Sequence, residues 1–224
     1  MVAAMLSLPN LITIGRILLV PVFAVLFVLP GETARLSAFV IFCIAGATDA
    51  LDGLAARKLG AGSDFGRMLD PIADKILVAT ALMMLVAQGS VHQFDLSNPG
   101  LKSLLKLVPA LVILAREILV SGLREFLASA NVSVPVTAIA KFKTTIQMIA
   151  IGAMILEPVA VRDLPDPAAL TYSTLAYTAL WVAAGLTVYT GYVYFRAGLA
   201  HLHGAKPRTK PARPEGDVHA GETA

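Results

Sequence analysis

Apolar runs close to the ~20 residues that carry a helix across a bilayer recur along the chain. They fall at roughly 10–30, 36–56, 68–88, 104–124, 137–157 and 172–196, by hydropathy. Backbone groups inside lipid have no water to bond, so each run predicts a helix whose N–H and C=O groups pair within the segment. Pro9-Asn10 opens the first run and Pro30-Gly31 closes it. "PGETAR" (30–35) and "EPVAVRDLPDP" (157–167) read as turns between antiparallel spans. The pattern predicts an all-α integral membrane bundle of six transmembrane helices, one domain over residues 1–200. From His201 the chain turns polar and rich in Pro, Gly and charge, which predicts a disordered tail over 201–224. His201 and His203 in that tail read as an incidental pair, not a metal site.

Composition agrees. The 224 residues are 57% hydrophobic and only 15% charged, whereas a soluble domain carries about a quarter charged residues. Mean hydropathy is +0.75. The first apolar run lacks a basic leading segment and is too long for a cleavable signal, so none is expected. Cys43, the single cysteine, can close no intrachain disulfide and reads as a small buried hydrophobe.

The net charge of +3 is too dispersed for a nucleic-acid surface, and no nucleic acid is expected as a partner. Its placement orients the bundle instead. The connections around 57–67 and 124–143 hold Arg57, Lys58, Arg67, Arg124, Lys141 and Lys143, and the tail adds Lys206, Arg208, Lys210 and Arg213. The opposite connections hold fewer: Arg35, Lys102, Lys106 and Arg162. The positive-inside rule then predicts both termini on the cytoplasmic side, together with the segment "DALDGLAARKLGAGSDFGRMLDPIADK" (49–75).

That segment carries the chemistry. Asp49 and Asp52 are three residues apart, and Asp70 and Asp74 four apart, so on helices each pair shares a face. Four converging carboxylates repel unless cations neutralise them, and hard divalent ions with oxygen ligands, Mg2+ or Mn2+, suit them. No Cys or His lies nearby, which argues against zinc. The alternative is that the aspartates cap helices and pair with Arg57, Lys58, Arg67 and Lys75. Gly53, Ala55, Ala56, Gly60, Gly62 and Gly66 leave room for a ligand against the backbone, and Arg57 offers a fork for phosphate. These features together suggest a pyrophosphate site. No Ser-His or Cys-His pairing is evident, which favours direct displacement over a covalent intermediate.

Asp49-x2-Asp52-Gly53-x2-Ala56-Arg57-x8-Gly66-x3-Asp70-x3-Asp74 resembles, without gap or substitution, the signature of the CDP-alcohol phosphatidyltransferases. The resemblance implies an integral membrane enzyme of six helices, a homodimer, with two divalent cations on Asp49, Asp52, Asp70 and Asp74. It implies Asp74 as general base and Gly53, Ala56, Arg57, Ser63 and Gly66 as residues holding CDP-diacylglycerol. A bacterial inner membrane is the expected location, with the active site at its cytoplasmic interface. "PNLITIGRI" (9–17), "REILVSGLREFLA" (116–128) and "KFKTTIQM" (141–148) resemble the branch that uses glycerol 3-phosphate, although Ala140 stands where glycine is commoner. The resemblance covers roughly residues 8 to 198.

The residues themselves favour an anionic acceptor. Arg116, Glu117, Arg124, Lys141 and Lys143 lie in or beside apolar spans, where charge is costly and usually functional. Arg116, Arg124, Lys141 and Lys143 are therefore expected to bind the acceptor's phosphate. The alternative is that Arg116 pairs with Glu117 while the lysines snorkel. Arg16, alone in the first span, fits snorkelling or binding equally. Transfer to phosphatidylglycerol, as in a cardiolipin synthase, or to inositol phosphate, remains open within the enzyme class. Outside it stands a membrane cation transporter, which would spread acidic residues over several spans.

Overall fold

The computed structural model describes residues 8–59, 64–93, 101–129 and 138–204. They form six helices: α1 Leu8–Val28, α2 Glu32–Leu59, α3 Asp64–Gln93, α4 Leu101–Ser129, α5 Ala138–Asp163 and α6 Asp166–Gly204. Each predicted run corresponds to one helix, although 10–30 extends two residues past the end of α1, and most of the helices are longer than the runs.

Local chemistry explains the ends. Leu29 N–H closes α1 on the Val25 carbonyl at 3.1 Å. Gly31 then takes φ 108°, a left-handed value open to glycine at little steric cost, and the chain reverses. Glu32 sits in the first turn of α2, where an acidic side chain opposes the helix dipole favourably. The turn is thus Leu29–Gly31, and Glu32–Arg35 of "PGETAR" are helical, contrary to expectation. The second predicted turn shrinks further. Pro158 lies inside α5, and only Leu164 and Pro165 separate α5 from α6. A proline removes one intrahelical donor, and helices of this environment tolerate it because neighbouring groups take up the freed carbonyl. Helix α6 runs through His201 and His203 to Gly204, so helix continues past the predicted tail boundary. Residues 205–224 lie outside the described residues.

The helices close into a ring in the order α1, α2, α5, α6, α4, α3, with α3 returning to α1. Its core draws on every helix: Phe23, Phe42, Leu82, Ile113, Ile151 and Leu180 are nearly or fully buried. Phe23 lies between Phe27 and Phe42, with ring centroids 5.6 and 6.1 Å away. The outer surface is equally apolar, with Leu18, Leu119, Leu170 and Tyr192 all more than 60% exposed. An apolar exterior of that extent marks a surface made for lipid.

Among the described residues, Asn10–Val28, Phe142–Asp163 and Asp166–Arg196 are long and apolar enough to cross a membrane, while α3 offers a shorter apolar stretch, Lys75–Gln88. The remaining helices carry the charges singled out above. The chain is an all-α membrane protein.

Candidate active site

Asp49 and Asp52 fall near the end of α2, and Asp70 and Asp74 near the start of α3. The helical backbone thus gives both pairs the spacing that puts two carboxylates on one face. Beyond their helical backbone, Asp49, Asp52, Gly53, Ala56, Arg57, Gly66, Asp70, Asp74 and Lys141 lie outside the described residues, as does Ser63 altogether. Among the described residues no group of three or more His, Cys, Asp or Glu could hold a metal. The donor set on the two helix ends is carboxylate oxygen alone, and this is the chemistry of a hard divalent cation.

Next to Asp74 in sequence, Lys75 lines a cavity of about 300 Å3. The opposite wall is one face of α4: Arg116, Glu117, Val120, Ser121, Arg124, Glu125 and Ala128. These positions recur at three- and four-residue steps, so a single helical stripe forms the wall. Arg116 is held from two sides. Its Nη2 donates to Thr190 Oγ1 of α6 at 3.0 Å, and its Nη1 lies 3.5 Å from Glu117 Oε2. Glu117 also accepts from Lys143 Nζ of α5. Lys143 is only 3% exposed, and a buried ammonium needs such a partner. Ser121 Oγ donates to Glu125 Oε1 at 3.3 Å.

Three of the four expected phosphate-binding residues therefore meet. Arg116 and Arg124 line the cavity, and Lys143 reaches it through Glu117. The Arg116–Glu117 pair exists as the alternative reading supposed, but Lys143 does not snorkel, because it points into the bundle. Sequence reasoning missed Lys75, which lines the cavity, and Thr190, which holds Arg116. For Lys75 the sequence suggests only a counter-ion to the aspartates, and its place beside Asp74 is the available signal. Thr190 gave none, since its role depends on α6 lying against α4.

A second cavity, of about 590 Å3, lies between α2 and α5. Phe39, Phe42, Met148 and Ile149 make its walls apolar, and Arg16, Thr144 and Thr145 add polar groups. Ala47, two residues before Asp49, also lines it, so the groove extends toward the aspartate end of α2. Gly46 fits here closely: a Cβ at that position would lie 2.4 Å from Met148 Cε. Arg16 is 2% exposed, which rules out snorkelling and turns it toward the groove. Cys43 is exposed on the groove, not buried as expected, because α2 presents that face to the opening and not to the core.

The family described as CDP-alcohol phosphatidyltransferase matches residues 6–189. A CDP-diacylglycerol–glycerol-3-phosphate 3-phosphatidyltransferase of Rickettsia typhi is 42% identical over 193 residues, which is 86% of this chain and 97% of that protein. The protein of the same name from Bacillus subtilis is 37% identical over 203 residues, covering 85% and 94%. A cardiolipin synthase (CMP-forming) of Oryza sativa is 37% identical over 196 residues, covering 86% of this chain but 57% of that protein. The chain belongs to the CDP-alcohol phosphatidyltransferase family. It is accordingly a membrane-embedded transferase, and its similarity runs most fully to proteins named for glycerol 3-phosphate.

Proposed function

We propose that the chain transfers the phosphatidyl group of CDP-diacylglycerol to sn-glycerol 3-phosphate, giving phosphatidylglycerophosphate and CMP. The observation that carries the acceptor is the cationic cavity. Lys75, Arg116 and Arg124 line it, and Lys143 stands behind them, against the carboxylates of Glu117 and Glu125. A phosphorylated polyol suits that surplus of positive charge, since guanidinium forks match phosphate oxygens. A neutral alcohol has no use for it.

Two divalent cations, Mg2+ or Mn2+, on Asp49, Asp52, Asp70 and Asp74 would neutralise charge on the pyrophosphate and on departing CMP. The chain's own residues do the rest. Gly53, Ala56, Arg57, Ser63 and Gly66 hold the CDP moiety, and the apolar groove between α2 and α5 takes the diacylglycerol part. Arg116, Arg124, Lys141 and Lys143 fix the acceptor's phosphate. Asp74 accepts the proton of the acceptor's primary hydroxyl as its oxygen bonds to phosphorus. The bond from that phosphorus to CMP breaks. All six helices cross a bacterial inner membrane, both termini are cytoplasmic, and the enzyme works as a homodimer.

The test is CMP release by purified protein with Mg2+, CDP-diacylglycerol and one acceptor at a time. Glycerol 3-phosphate should be used far better than phosphatidylglycerol or inositol phosphate. Preference for phosphatidylglycerol would make the protein a cardiolipin synthase, the activity for which the rice relative is named. No CMP release with glycerol 3-phosphate would overturn the acceptor assignment. Asp49→Asn and Asp70→Asn each delete a hard ligand while keeping size, and should cut turnover by orders of magnitude in a protein that still folds.

A further inference from the structure

A third cavity, of about 420 Å3, opens where α1 turns into α2. Its volume is in the range of small-ligand sites, roughly 300–1,000 Å3. Phe27, Met84, Ala87 and Pro158 give it apolar walls, and Arg35, Arg162 and Glu32 supply charge, the last two paired with each other. Arg35 precedes Asp49 by fourteen residues on α2, about 21 Å at ~1.5 Å per residue. The cavity therefore belongs to the end of the bundle away from the aspartates.

Arg35 is the unusual member. It is 8% exposed, and its guanidinium lies 3.9 Å over the Phe27 ring. Its Nη1 has no hydrogen-bond partner, and among the described residues the side chain forms no ion pair. The carboxylates around it are already engaged. Glu157 accepts from Ser173 Oγ at 3.0 Å and lies 3.8 Å from Lys106. Glu32 accepts from Arg162, which also donates to Asp163 at 2.8 Å. A buried guanidinium donor left without an acceptor is costly, and Nη1 of Arg35 is in that position. An anion supplied from outside the chain resolves that cost.

We propose that this cavity binds the phosphate of an anionic phospholipid, with Arg35 as its ligand, at the end of the bundle opposite the aspartates. A guanidinium fork suits phosphate oxygens. The lipid source follows from the rest of the site: the walls are apolar, and exposed Val28, Leu29 and Val161 continue the apolar surface beside it. A glycerol backbone and its chains lie against such a surface, while free phosphate gains nothing from it.

The experiment is native mass spectrometry of the full chain in uncharged detergent, titrated with dioleoylphosphatidylglycerol and separately with inorganic phosphate. The unsubstituted chain should retain one more phosphatidylglycerol than either Arg35→Gln or Ala87→Trp. Loss of a charge-assisted contact should weaken that binding event about tenfold or more. Ala87→Trp fills the cavity while keeping the charge, so it carries the test if Arg35→Gln does not fold. Both variants should release CMP at the unsubstituted rate, which separates this lipid from any held at the active site. Equal lipid retention in all three proteins overturns the proposal. So does displacement of the lipid by millimolar inorganic phosphate, which would make the site one for a free anion.

Discussion

Arg116 and Arg124 face one cavity but are held differently, and that difference predicts different phenotypes. Arg116 is braced by Thr190 and Glu117, whereas Arg124 is exposed and makes no hydrogen bond or ion pair among the described residues. Its fork is thus available to a ligand at no structural expense. A charge-assisted contact to phosphate is worth about 1.5–3 kcal/mol, or roughly ten- to hundredfold. Arg124→Ala should raise the KM for glycerol 3-phosphate by that factor and leave the KM for CDP-diacylglycerol and the unfolding midpoint unchanged. Glu117→Ala should behave otherwise. It strands Lys143, which is 3% exposed, and breaking a buried pair costs up to about 3–5 kcal/mol. Its signature is a lower midpoint of thermal unfolding. Steady-state kinetics with each substrate varied, beside thermal melts, checks both, and an equal rise of the two KM values in Arg124→Ala refutes its role as an acceptor ligand.

Helix α6 positions this chemistry through a missing side chain. A Cβ on Gly191 would stand 3.0 Å from Arg116 Cγ and 3.4 Å from its Nε, so glycine is what lets α6 lie against the arginine stem. Gly185, on the same helix, would meet nothing within 4 Å. Leucine is a better helix former than glycine by about 0.5–1 kcal/mol, so neither Gly→Leu change should weaken the helix itself. Gly191→Leu should dislodge Arg116 from Thr190 and raise the acceptor KM, and Gly185→Leu should not; matching kinetics in the two variants would show that the close approach is irrelevant. Contacts of this kind also mark where sequence reading stops. The apolar runs pointed to all six helices, because a run of about 20 apolar residues is a signal local to the sequence. Their ends differ from the sequence expectation at Pro158, which lies inside α5, and at Glu32, which opposes the dipole in the first turn of α2. The aspartate pairs were legible because their spacing is local to one helix. Glu117–Lys143 and Arg116–Thr190 join residues 26 and 74 apart, and no spacing rule says which helices become neighbours. Arg16 had a local signal of its own: Asn10, Thr13 and Arg16 recur at three-residue steps on one face of α1, and all three are buried.

The ring of helices has two chemically different ends, and this difference sets how the molecule must sit in its membrane. At one end, Arg162 at the close of α5 binds Glu32 at the start of α2, so the α1–α2 and α5–α6 turns lie side by side. Arg35 and its cavity are there too. At the other end lie the close of α2, the start of α3, the C-terminal part of α4 with Arg124, and the N-terminal part of α5 with Lys143. Helix lengths allow both ends to reach water: α2, with 28 residues, spans about 42 Å at ~1.5 Å per residue, against ~30 Å of hydrocarbon. Soluble CMP and glycerol 3-phosphate require the aspartate end to face the compartment that supplies them, and the excess of Lys and Arg there points the same way. Cys43 is the only cysteine and is exposed, so Cys43→Ser makes a thiol-free background at little packing cost. In that background Leu164→Cys should react with a membrane-impermeant maleimide on intact spheroplasts. Ser129→Cys, at the end of α4, should react only after lysis. The reverse pattern would invert the orientation, and labelling of both positions from outside would show that α5 does not cross the membrane between them.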